Sequence, residues 1–192
     1  AEALSKSGVR QYLLDPALAL KSKEDWPEIP LSARCLSGKD ERDSIAIGLV
    51  DARICVPMPL CDVIGWSNKK LLNGWFGVGK GEYLVPGSCS MDDEILRLIM
   101  NLIPLNQICH QAEGDVGCLP HQSQWSSIEL LSDQVLLWSA EDLKCFFYLF
   151  SVPEWWHPYL AFNCLFDGST FGFDQGIPYV VCSRVLGMGF IS

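Results

Sequence analysis

This sequence of 192 residues is short of several things, and each shortage narrows what it does. No apolar run reaches the ~18 residues of a membrane span. The opening "AEALSKSGVRQYLL" lacks the basic start and unbroken apolar stretch of a secretory leader, so an intracellular protein, cytoplasmic or nuclear and not secreted, is expected. There is no C-x-x-C pair, and the cysteine count of nine is odd. Thiols in apolar settings such as "VVCSR" and "FNCLF" therefore read as buried free cysteines in a reducing compartment rather than a disulfide framework. Positive charge is also scarce. Net charge is −9, and from Arg97 onward only Arg97, Lys144 and Arg184 are basic, against nine acids. This argues against tight general binding of nucleic acid, and a polyanion site here would need a few well-placed cations, not a patch. No internal repeat or low-complexity tract stands out.

Hydrophobic residues make up 49% and aromatics 11%, ample for a packed core. Residues 1–60 read as a partly irregular N-terminal extension, punctuated by Pro, Gly and Ser in "KSKEDWPEIP" and "LSGKDERDS". "RQYLLDPALAL" predicts a short helix restarted at Pro16, and "SIAIGLVDARICVPMP" strand-like runs ended by prolines. "GWFGVGKGEYLVPG" predicts a β-hairpin turning at Gly79-Lys80-Gly81. "ILRLIMNLIPLN" reads as a buried strand carrying one arginine, Arg97. "SSIELLSDQ" predicts a short amphipathic helix, "VLLWSAEDL" a strand, and "KCFFYLF" a turn of helix stopped by Pro153. "PYLAFNCLF" and "PYVVCSRVLG" predict two strands of an antiparallel hairpin. Strands and helices mix without a βαβ rhythm, so the fold class is α+β.

Glu141-Asp142-Leu143-Lys144 is an odd cluster to find between Leu136-Leu137-Trp138 and Phe146–Phe150. A carboxylate in such surroundings needs a partner or a metal. At a strand end Asp142 suits Mg²⁺, whose octahedron water and phosphates complete. An aspartate so placed equally caps a following helix. Cys109, His110, Cys118 and His121 suggest zinc, but they lack the paired spacing of structural zinc sites. His157 with the cysteines suggests a hydrolase, but no nucleophile elbow accompanies it.

Read together, "WFGVGKGE", "LRLIMNLIPLN", "EDLKCFFYLF", "VPEWWHPYLAF" and "YVVCSRVLGMGF" resemble, in order, blocks of the reverse transcriptase domain of retroelements. The resemblance spans about residues 70–192. It implies the fingers and partial palm of a right-hand polymerase over residues 61–192, with an antiparallel sheet and packed helices. The implied activity is RNA-directed DNA synthesis: deoxynucleotides (dNTP) added to a primer on an RNA or DNA template with Mg²⁺. Residue by residue, Asp142 takes the place of the first metal-binding aspartate and the Leu143 carbonyl completes that coordination. Lys80 and Arg97 take the places of the cations that grip the triphosphate. Phe147, with Phe146 beside it, stands at the aromatic gate under the sugar, which selects against a 2′-hydroxyl. Gly189 falls in the segment that cradles base and template. Ordinary roles compete with each: a turn lysine for Lys80, core packing for Phe147, a Gly-rich tail for Gly189.

The pattern also departs from the family. Gly187 stands where proline is usual, Asn101 replaces an aspartate, and Ile103 an arginine. No Tyr/Phe-x-Asp-Asp follows Asp142, so these 192 residues alone are expected to be inactive. The competing expectation is an inactive, element-derived relic or a domesticated module that binds nucleic acid or protein.

Overall fold

The computed structural model describes residues 14–38, 41–87, 89–90, 94–111, 128–137, 146–187 and 190. The chain is α+β, with small, mainly antiparallel sheets and few helices. Among the described residues no helix is long and apolar enough to cross a membrane.

Helix α1 (Pro16–Ala19) starts at Pro16 as the sequence predicts. Asp15 caps it by accepting from the Ala17 N–H at 2.9 Å. Strand β1 (Cys35–Leu36) follows, then helix α2 (Arg42–Asp51). This corrects the strand expected over "SIAIGLV". Ile45 and Leu49, like Ala46 and Val50, recur at four-residue spacing and face the core, and that period outweighs the β-branched composition. The helix stops at Arg53, whose φ of 59° is left-handed. The Arg53 N–H donates to the Val50 carbonyl and the Ile54 N–H to that of Leu49, a Schellman closure.

Strand β2 (Cys55–Pro59) leads to the short hairpin of β3 (Gly65–Trp66) and β4 (Lys69–Lys70). Its two-residue turn, Ser67-Asn68, has positive φ at both positions, as a type I′ turn requires. Next come β5 (Gly74–Tyr83), β6 (Glu94–Asn101) and helix α3 (Ile103–Ile108). After 3-10 turns at Phe146–Leu149 and Glu154–Tyr159 come β7 (Phe166–Asp167) and β8 (Pro178–Ser183).

One sheet has the order β1-β5-β6, β1 running parallel to β5 with Cys35 opposite Trp75. The other has the order β2-β8-β7 and is antiparallel throughout. Central β8 is buried from Tyr179 to Ser183, which explains its unbroken "YVVC" run. The expected hairpin partner of β8 shrinks to Phe166–Asp167, while "PYLAF" meets the sheets only through single bridges, Asn73–Phe162 and Ala161–Cys182.

The main core joins both sheets. Trp75 packs edge-on against Phe162 at 5.1 Å, with Leu71, Leu105, Trp156, Leu160 and Val181 around them. Ala19, Ala46 and Cys55, from the segment expected to be an irregular extension, lie in the same cluster. Asn73 sits fully buried at the centre. Its Nδ2 donates to the carbonyls of Tyr159 (2.9 Å) and Ala161 (3.2 Å), and its Oδ1 accepts from Leu105 N–H at 3.3 Å. That last bond satisfies an open amide in the first turn of α3, and Asn101 Oδ1 takes the Ile103 N–H at 3.2 Å. Asn101 thus ends β6 and starts α3, so "LRLIMNLIPLN" is a strand and a helix, not one strand.

Candidate functional site

Lys80 and Arg97 lie on the two strands of one hairpin. Its arms are β5 and β6, and its connection runs through residues 84–93; Gly79-Lys80-Gly81 is inside β5 rather than at the turn. Pairing is regular from Gly74 opposite Asn101 to Gly79 opposite Leu96, with Val78 opposite Arg97. It then breaks and resumes at Tyr83 opposite Glu94, so Lys80 sits at the start of the irregularity.

The two glycines have a local explanation. Gly81 has φ of 69°, and its N–H donates to Glu94 Oε1 at 3.0 Å. A Cβ on Gly79 would collide with that same carboxylate. The space beside Lys80 that a bare backbone opens is therefore filled by Glu94. Arg97 also differs from expectation, because it is exposed and not buried. The physical reason is its place on β6, an edge strand whose outer end is solvated; neighbouring Leu96 is 60% exposed.

Other blocks converge on the same strand. The Tyr148 hydroxyl donates to the Leu98 carbonyl at 2.8 Å, docking the Phe146–Leu149 turn on β6 one residue from Arg97. Phe146 and Phe147 occupy the first two positions of that turn. The chain then pairs with the segment after β8: Leu186 N–H donates to the Phe150 carbonyl and Val152 N–H to that of Arg184, both at 2.8 Å. Gly187 lies where a Cβ would press on Met100 Sδ and Leu102 Cδ1, each at 3.0 Å, at the base of β6. Asp142, Leu143 and Gly189 lie outside the described residues, as do Cys118 and His121. Of the remaining zinc candidates, Cys109 is buried and His110 exposed. Burial pushes the Cys109 thiol up to about 12. The amphipathic helix expected at 126–134 does not form over its described part, where 128–137 is exposed and has only a turn at Ser132-Asp133.

A second feature was not legible in the sequence. A cleft of about 440 Å³ is lined by Val56, Pro57, Met58, Glu154, His157 and Arg184. His157 is 7% exposed, and its Nε2 has no hydrogen-bond partner among the described residues. Burial holds the imidazole below its ordinary range, Arg184 adds to that, and Glu154 opposes it. Only the fold brings residues 56, 157 and 184 together.

Among the described residues, no group of three or more His, Cys, Asp or Glu is gathered to hold a metal ion. No family model matches this chain, and no curated protein matches it.

Proposed function

We propose that the chain belongs to an RNA-directed DNA polymerase of the retroelement type, contributing the nucleotide-gripping part of its active site. The observation that carries this reading is the Tyr148 bond to Leu98. It joins the turn that follows Asp142 in sequence to the strand that bears Arg97. Gly187, two residues before Gly189, packs at the base of that strand, so three separate sequence blocks meet there.

In this reading Lys80 and Arg97 meet the charge of the incoming triphosphate, and Phe146 and Phe147 border its sugar. Gly189 lies under the base. Asp142 and the Leu143 carbonyl form an all-oxygen donor pair, which suits a hard cation such as Mg²⁺. When bound, that ion would neutralise charge on the transferred phosphoryl group. The template, RNA or DNA, and the primer would be held by chain beyond these basic-poor segments.

Glu94 favours a second reading. A carboxylate folded against Gly79 and Gly81 opposes an anion at Lys80, as expected of an inactive, element-derived binding module. Equilibrium binding of dTTP with Mg²⁺ separates the two. The polymerase reading expects saturable binding weakened about tenfold or more by Asp142→Asn or by Lys80→Ala with Arg97→Ala, where charge-assisted contacts are lost. It also expects Phe147→Ala to narrow the preference for dTTP over UTP. No binding, or affinity unchanged by these substitutions, discards it for the second reading.

A further inference from the structure

The cleft lined by His157 and Arg184 shares no residue with the nucleotide site proposed around Lys80 and Arg97. Three elements build it, and backbone hydrogen bonds hold each in place. Edge strand β2 supplies Val56, Pro57 and Met58, all half-buried. Val56 and Met58 pack on the small core that contains Val180 and Cys182, with Met58 Sδ 3.8 Å from Cys182 Sγ. Arg184 directly follows β8. Its N–H donates to the Ile54 carbonyl and its carbonyl accepts from the Val152 N–H, both at 2.8 Å, so its backbone is held on two sides. Glu154 and His157 come from the Glu154–Tyr159 turn, which the Ile64 N–H ties down through the Pro158 carbonyl at 3.1 Å.

The charges decide what such a cleft accepts. Glu154 and Arg184 are exposed, and neither has an ion-pair partner among the described residues. Buried His157 is neutral at pH 7, since burial and Arg184 hold its imidazole below the ordinary range. Its Nε2 has no hydrogen-bond partner among the described residues, a costly state that a ligand's polar group would relieve. A simple anion suits Arg184 but is opposed by Glu154, and a simple cation meets the reverse. An uncharged apolar solute would strip water from both charges and pair neither. A zwitterion with an apolar tail satisfies both charges and the apolar strand together. The volume of about 440 Å³ is that of a small-molecule site.

We propose that this cleft binds a free α-amino acid with an apolar side chain, of the size of methionine or leucine. Arg184 takes the carboxylate and Glu154 the ammonium group, while Val56, Pro57 and Met58 receive the side chain. With its proton on Nε2, His157 donates to the same carboxylate. The site is independent of the polymerase reading and stands if that reading fails.

The test is isothermal titration of the chain with L-methionine and three analogues, each lacking one recognised group. Saturable binding of one methionine per chain is expected, with a dissociation constant of about 1 mM or tighter. N-acetyl-L-methionine lacks the ammonium, L-methioninamide the carboxylate and glycine the apolar tail. Each should bind about tenfold more weakly or worse. Arg184→Gln and Glu154→Gln should each weaken methionine binding by about tenfold. The penalty for N-acetylation should shrink in Glu154→Gln and persist in Arg184→Gln, which assigns each charge to its partner. Should a variant fail to fold, the analogue series on the parental chain decides. No saturable methionine binding up to about 50 mM, analogues that bind as well as methionine, or affinity unchanged in both variants would overturn the proposal.

Discussion

Strand β8 and the outer half of the β5–β6 hairpin are both rich in apolar residues, yet they meet opposite fates. From Tyr179 to Ser183 every residue of β8 is buried, enclosed by β2, β7 and the Glu154–Tyr159 turn. In the hairpin, burial stops soon after Trp75: Val78 is 45% exposed, Leu96 60% and Leu84 73%. Lys80 and Arg97 stand in that exposed half. The difference shows that apolar composition alone does not decide burial. The inner region carries the packing, and the outer half of the hairpin leaves both its apolar residues and its two cations exposed.

The sharpest way to break this contrast is at its buried end. Phe162 is fully enclosed, edge-on to Trp75, and its N–H donates to the Val181 carbonyl at 3.0 Å. Phe162→Ala should lower the free energy of unfolding by about 3–5 kcal/mol in urea titrations, from lost burial and the cavity left behind. A loss below about 1 kcal/mol would mean that the two sheets do not share the core described.

A smaller effect is expected where the two regions join. Tyr148→Phe keeps the ring and removes the donor to Leu98, at a cost of about 0.5–1.5 kcal/mol. The same change should speed amide exchange in the Phe146–Leu149 turn while leaving β8 unaltered. Exchange rising equally in both would erase the boundary between arm and core.

How much of this was legible in the sequence depends on whether the signal was local. The α+β class, the helix at Pro16 and the turn before Pro153 rest on capping, proline and composition within a few residues, and the structure has all three. The "SIAIGLV" helix was missed because its β-branched residues suggested a strand while its four-residue period argued for a helix. Arg97 was expected to be buried because its neighbours are apolar. Sequence does not show that β6 is an edge strand, and an edge exposes apolar residues along with charged ones. Glu94 was missed for a similar reason. Thirteen residues separate it from Gly81, and only the break in register brings its carboxylate back. The proposed site rests on ordered blocks, and the contacts of Tyr148 and Gly187 with β6 come from neither residue's composition but from the fold.

The smallest expected effect bears most on the meaning of the arm. Lys80→Ala and Arg97→Ala should each change unfolding free energy by no more than about 0.5 kcal/mol, as for solvated surface positions. Together they should remain near additive, since neither supports the core. A strand that carried these cations for its own stability would behave otherwise. If either substitution cost more than about 1 kcal/mol, the side chain would be holding the hairpin in shape, and its charge would have a structural reason. A near-zero cost leaves the two cations without a stabilising role at the exposed end of the hairpin. That is the condition under which an external anion becomes the better account of why they are there.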